Sequence, residues 1–145
     1  MRVDSLQASI LARLVVVGDD ALLQAAALCL CRPGVGLVIV CRESGEAAGV
    51  ITKSDLVRHV TRAGVAIGSV TPLMSQPIIS CGPDDDLYGV WQTMNARRLQ
   101  NLPVLGVDQK PLGVLDIRDA MQALFEHEQF QEQVLVNYIA GIGYR

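Results

Sequence analysis

The chain matches itself. Asp20-Ala21-Leu22 aligns with Asp85-Asp86-Leu87, and Leu37-Val38-Ile39-Val40 with Leu102-Pro103-Val104-Leu105, both at an offset of 65. Further along, Gly49-Val50-Ile51-Thr52-Lys53-Ser54-Asp55 falls on Gly113-Val114-Leu115-Asp116-Ile117-Arg118-Asp119 at an offset of 64. Self-similarity at a fixed period marks repeated supersecondary units, none of which can bury its apolar face alone. The change of offset predicts one residue gained or lost in the hairpin between Cys41 and Ala48, where an insertion costs least. The 145 residues then form two half-sized units sharing a core, enough together to bury roughly 68–70% of the unfolded surface.

Local patterns describe one unit twice. A short apolar strand (Leu14 to Val17; Ile78 to Cys81) precedes an Asp-rich turn, whose carboxylates can accept the orphan N–H groups of a helix start. Leu87, Val90, Trp91 and Met94 then recur at helical spacing. Their counterpart, Ala21 to Cys31, is apolar nearly all round, which predicts a helix buried on more than one side. Two strands follow, Leu37 to Cys41 and Ala48 to Ile51 around Ser44-Gly45, repeated as Leu102 to Val107 and Leu112 to Leu115 around Asp108-Gln109-Lys110. A second helix closes each unit, from about Ser54 to Arg62 and from Ile117 to beyond Phe125. The predicted class is α/β, of α+β character, with two pseudo-symmetric β-α-β-β-α repeats. The expected division is 1–66 (first repeat with an N-terminal extension), 67–126 (connector and second repeat) and 127–145 (an amphipathic helical tail).

Composition excludes several functions. A net charge of −3 and a pI near 5.2, with no dense Lys/Arg run, argue against a nucleic-acid partner held by phosphate neutralisation. Apolar stretches such as Val35 to Cys41 fall far short of the ~20 residues that cross a bilayer, and the charged N-terminus does not read as a secretory leader. The expected setting is cytoplasmic, with no membrane. Cys29, Cys31, Cys41 and Cys81 form no C-x-x-C pair, and only His59 and His127 could join them on a metal. They read as small buried hydrophobes in a reducing compartment, with no metal site.

The order of elements, Asn101-Leu102-Pro103-Val104, the Gly-Val-Ile-Thr-x-x-Asp run at 49–55 and the connector Val70-Thr71-Pro72-Leu73-Met74-Ser75 together resemble the cystathionine-β-synthase (CBS) domain family over about residues 12–126. The tail from Glu128-Gln129-Phe130 to Asn137-Tyr138-Ile139-Ala140-Gly141 is similar to that of small stand-alone bacterial CBS-pair proteins. The resemblance implies a tandem CBS pair that senses an adenosine-containing compound (AMP, ADP, ATP, NAD or S-adenosylmethionine) between its repeats. It also implies a homodimer, a separate effector protein that receives the signal, and no required cofactor.

Chemistry is most concentrated at Thr52-Lys53-Ser54-Asp55, where a strand feeds a helix. Helix N-termini favour anionic groups, Lys53 and Thr52 can reach phosphate, and a carboxylate such as Asp55 can accept both hydroxyls of a ribose. The same residues also fit a capping box, in which Thr52 and Asp55 only satisfy backbone donors. Side-chain chemistry alone favours the cap; the resemblance favours the ligand, and the two can coexist. The resemblance completes this site with Ile78, Leu99, Gln100 and Asn101 from the second repeat, and Arg98 is close enough to serve phosphate or simply to stand solvated at a helix end.

A mirror-image site would use Asp119, with Leu14, Gly34, Val35 and Gly36. There Asp116 replaces the hydroxyl of Thr52, and two carboxylates repel a phosphate unless Arg118 offsets them. Weak or absent binding is expected at this second site. Two other functions stay open. A nucleotide-free dimerisation or interaction module is consistent with the apolar helices and with Phe130, Val134, Leu135, Tyr138 and Ile139 of the tail. An enzyme is disfavoured, because no Ser/His/Asp or Cys/His signature surrounds His59, the cysteines or the acids at 116 and 119.

Overall fold

The computed structural model describes residues 1–64 and 68–141, and between 129 and 141 the side chains of Glu132, Val136 and Ile139 alone. In the first repeat, β2 (Leu37–Cys41) lies between β1 (Val16–Gly18), to which it is parallel, and β3 (Ala47–Thr52), to which it is antiparallel. All five β2 residues are buried, which explains an unbroken apolar run in place of alternation. In the second repeat β4 (Asn101–Leu105) pairs with β5 (Pro111–Asp116). Where a strand from Ile78 to Cys81 was expected, Cys81 makes a single parallel bridge to Val104. Helices α2 (Leu23–Leu30) and α4 (Leu87–Ala96) precede the hairpins, and α3 (Lys53–Ala63) and α5 (Ile117–Gly141) follow them. The expected tail at 127 is a continuation of α5.

The strand ladders correct the alignment. Leu37 pairs with Thr52 as Asn101 pairs with Asp116, and the register slips between Val40 and Cys41 as it does between Val104 and Leu105. Val17 pairs with Val40 as Cys81 pairs with Val104. Every counterpart lies 64 residues on, and the hairpin loops 42–46 and 106–110 are equally long, so no residue was gained or lost there. An offset of 65 looked right because a strand buried on both faces still sets apolar residue against apolar residue when slid by one.

Three apolar clusters hold the repeats. Leu23, Ala26, Leu30, Val38, Val40 and Ile51 build the first, Leu87, Met94, Leu102, Val104 and Leu115 the second, and Leu37, Ile39 and Cys41 meet Val114 between them. The α2 helix is buried on one face only: Leu28 within it and Leu22 at its N-cap are each 65% exposed. It also lacks the expected acidic cap, since its N-cap is Leu22, whereas the Asp86 carboxylate accepts from Gly89 N–H at 3.0 Å at the start of α4.

The N-terminal extension has a structure that the repeat comparison did not anticipate. A 3-10 turn (Val3–Leu6) and α1 (Gln7–Ala12) lie against the second repeat, although they precede the first. Val3 N–H donates to Asp85 C=O at 2.9 Å and Leu87 N–H to Met1 C=O at 2.8 Å, while Val3 and Ile10 are buried in the second cluster. The spacing of Val3, Leu6 and Ile10 carries this signal. Gly113 is required where α1 crosses β5, because a Cβ there would collide with the Ile10 carbonyl.

Cys41 and Cys81 are buried, as expected; Cys29 is half-buried and Cys31, at the end of α2, is exposed. Burial raises the Cys41 thiol and pushes Cys81 up to about 12, leaving roughly one Cys81 in ten thousand as thiolate at pH 8. Iodoacetamide at pH 8 should therefore label Cys31 in the native protein and reach Cys41 and Cys81 only after denaturation, as read by peptide mass spectrometry. Rapid native labelling of Cys81 would contradict this core.

Candidate functional site

The β3–α3 junction forms the capping box that the sequence allowed. The Thr52 hydroxyl accepts from Asp55 N–H at 3.2 Å, and Asp55 Oδ2 accepts from Thr52 N–H at 3.0 Å. The cap leaves Asp55 Oδ1, 3.5 Å from the Arg58 guanidinium, so capping does not exhaust the carboxylate. This junction opens onto a cleft of about 780 Å³, within the size range of small-molecule sites.

The cleft gathers Thr52, Lys53, Ser54, Asp55 and Arg58 from the first repeat and Arg98, Leu99, Gln100 and Asn101 from the second. Of the residues expected at the Asp55 site, Ile78 alone is absent from the wall. Gly34, Val35, Gly36 and Arg118, expected at a separate mirror site, line this same cleft; Leu14, Asp116 and Asp119 do not. Part of the wall expected at the mirror site thus belongs to the Asp55 groove, while the acid of that site, Asp119, lies outside the lining. The equivalent turns 34–36 and 98–100 approach so closely that a Cβ on Gly36 would strike the Asn101 amide.

These turns differ in a telling way. Gly34 has φ +81°, and its counterpart Arg98 has φ +56°, a left-handed conformation that glycine adopts freely and arginine does not. Arg98 closes α4 as glycine usually closes a helix: Leu99 N–H donates to Met94 C=O at 2.8 Å and Arg98 N–H to Asn95 C=O at 3.3 Å, the Schellman pattern. A guanidinium therefore stands at the cleft on a backbone that disfavours it, a conformation invisible in the sequence.

Lys53 and Arg98 have no side-chain hydrogen bond or ion pair among the described residues, so two cations in the wall are uncommitted. Asn101 Oδ1 is buried without a hydrogen-bond partner. His59 faces a smaller hollow of about 220 Å³ that shares Asp55 and Arg58 with the cleft.

Around Asp119 the two carboxylates expected to repel a phosphate are already paired with guanidiniums, and one of these, Arg13, the sequence did not reveal. Arg13, just after α1, donates through Nε to Asp119 Oδ2 at 2.7 Å and through Nη2 to Oδ1 at 3.2 Å. Its Nη1 donates to the Gly34 carbonyl at 2.8 Å and lies 3.5 Å from Asp116. Arg118 in turn donates to Asp116 through its backbone N–H, Nε and Nη2, at 2.8, 3.0 and 2.8 Å. Burial alone would raise the Asp116 carboxyl, but the Arg118 bonds and the Arg13 charge outweigh it and hold it below the ordinary value. The bond to Asp119, with help from both carboxylate charges, keeps Arg13 firmly protonated. Two acids and two guanidiniums cancel here. A lone arginine in the extension gave no sign of this.

No helix among the described residues is long and apolar enough to cross a membrane, and no group of three metal-ligating side chains is assembled among them.

Comparison with known proteins supplies a context. The family described as CBS domain matches residues 67–126. An uncharacterized protein of Methanopyrus kandleri is 30% identical over 111 residues, 70% of this chain and 57% of that protein; the match thus spans little more than half of that relative. The crystal structure of a CBS-domain containing protein from Agrobacterium tumefaciens superimposes with a TM-score of 0.71 at 27% identity, covering 85% of this chain and 98% of the other. A CBS domain protein from Pyrobaculum aerophilum, complexed with AMP, gives a TM-score of 0.72 at 20% identity over 82% of this chain and 89% of that one.

Proposed function

The chain belongs to the CBS domain family and folds as a pair of its repeats, and from that premise we propose that the cleft at Asp55 binds an adenosine nucleotide as a regulatory signal. The carrying observation is the pairing of a half-buried carboxylate oxygen, left over from the cap, with two uncommitted cations in the wall, Lys53 beside it and Arg98 from the second repeat. Asp55 receives the ribose hydroxyls. Phosphate lies toward Lys53, Arg98 and the start of α3, where backbone N–H groups and the helix dipole add to the attraction. The unpartnered Asn101 oxygen suits a donor such as the adenine amino group, because a buried acceptor left unpaired costs about 1–3 kcal/mol.

Charge narrows the ligand class. With Arg58 set against Asp55 and Arg118 against Asp116, Lys53 and Arg98 remain as excess positive charge in the lining. Such an excess favours AMP, ADP, ATP or NAD over the sulfonium cation of S-adenosylmethionine. The AMP bound to the Pyrobaculum protein is consistent with this reading. The site binds and does not catalyse: it offers no activated nucleophile or paired general acid and base.

Output follows by population shift, the ligand favouring one relative placement of the repeats it touches. Val57 and Val60 on α3 and Met121 and Phe125 on α5 are exposed on helices that correspond between repeats, a surface suited to an isologous homodimer. Of the tail positions expected to extend it, Ile139 is half-buried and the side chains of Phe130, Val134, Leu135 and Tyr138 lie outside the described residues. A separate effector protein receives the signal.

Thermal melting with AMP, ADP, ATP, NAD and S-adenosylmethionine tests the proposal. A ligand at 100 times its Kd adds about 2.7 kcal/mol to stability, a shift of roughly 5–10 °C for a chain of this size. The nucleotides should shift the melt more than S-adenosylmethionine, and Asp55→Ala should remove the shift. Silence across the panel at millimolar concentration would instead favour an interaction module whose cleft stays empty.

A further inference from the structure

We infer that Arg13 is an internal plug that closes a latent second nucleotide site at Asp119, so that each chain takes one ligand and not two. The constant offset of 64 makes Asp119 the counterpart of Asp55 and Pro77 the counterpart of Arg13. Only one of the two equivalent carboxylates therefore meets a guanidinium from the segment ahead of its partner repeat. At Asp55 the cap uses one oxygen and the other lies 3.5 Å from Arg58. At Asp119 the Arg13 fork occupies both oxygens, at 2.7 and 3.2 Å.

A ribose diol entering here would have to break two charge-assisted bonds, each roughly twice as strong as the neutral bonds a hydroxyl could offer in return. It would also strand a guanidinium whose third contact, the Gly34 carbonyl at 2.8 Å, ties α1 to the cleft wall. The plug is well held: Arg13 is only 21% exposed and Asp119 22%. Asp116, 3% exposed and bound by Arg118, supplies a second negative charge facing Arg13. The expected weakness of the Asp119 site thus comes from an occupant of the acid rather than from repulsion by it.

This inference rests on the nucleotide reading of Asp55, and calorimetry with AMP and ATP on the full chain separates the two. Wild type should bind one equivalent, lost in Asp55→Ala. Arg13→Ala should bind two, the added one weaker and lost on Asp119→Ala. Because Arg13→Ala leaves two acids facing a single guanidinium and can impair folding, Arg13→Ala/Asp116→Thr serves as the second variant. It removes the unbalanced charge and restores the hydroxyl found at Thr52. Circular dichroism reports whether each variant folds.

Two equivalents in wild type, or one in both folded variants, overturn the plug while leaving Asp55 standing. None in wild type but one, dependent on Asp119, in the variants supports the plug and sinks the Asp55 site. No binding by any of them overturns both.

Discussion

Arg98→Gly is expected to make the protein more stable and a poorer nucleotide binder. Arg98 sits at φ +56°, in the helix-closing position where glycine pays no steric penalty, and non-glycine residues held there cost on the order of 1 kcal/mol. Relief of that strain should raise the melting temperature by roughly 2–4 °C. The same change removes one of the two uncommitted cations in the cleft. A charge-assisted bond to phosphate contributes about 1.5–3 kcal/mol, so affinity for AMP or ATP should fall roughly 10- to 100-fold. Arg98→Lys keeps the charge and the strain, and should change stability little while losing only part of the affinity. Scanning fluorimetry and calorimetry on the three proteins check both arms. A melt lowered by several degrees, or unchanged affinity, would show that this arginine is held for packing and not for a ligand.

The second large effect belongs to Gly113→Val. A side chain on Gly113 meets the Ile10 carbonyl and backbone carbon, and backbone yields far less readily than the end of a flexible side chain. Overpacking of this kind costs about 1–3 kcal/mol and occasionally more. Here α1 must lift from β5, uncovering the surface that Val3 and Ile10 bury, so the upper end is expected: a melt lowered by about 6–12 °C. Hydrogen exchange should localise the damage, with protection lost across α1 and retained in β2. Equal loss in both strands and helix would mean that the clash propagates through the whole core. Since Arg13 follows α1 directly, its hold on Asp119 should loosen as well.

The hairpins and the cap were legible in the sequence because their signals are local. Ser44-Gly45 and Asp108-Gln109 turn adjacent apolar runs, and Thr52 lies three residues from Asp55, the spacing that closes a capping box. The same kind of pattern misled where it was degenerate: β2 is apolar at every position, so sliding it by one residue left the match intact and created a spurious insertion. The helix α2 looked enclosed because composition cannot tell a buried face from one left bare at Leu28. Many of the residues that line the cleft came from the family resemblance, but that Gly34, Val35, Gly36 and Arg118 share a wall with Asp55 depends on how closely Gly36 approaches Asn101, a distance with no sequence signature. Arg13 was missed for a related reason. Its carboxylate partners, Asp116 and Asp119, stand more than a hundred residues away, and it follows a helix that has no counterpart among the described residues of the second repeat.

That helix has a consequence for how the halves relate. Val3 and Ile10, though covalently part of the leading half, complete the interior of the trailing one, and Met1 C=O receives the first amide of α4. The trailing half is therefore not a self-sufficient folding piece. Split after Gly64 and produced as two polypeptides, the molecule would behave as complementary fragments that acquire order by finding one another.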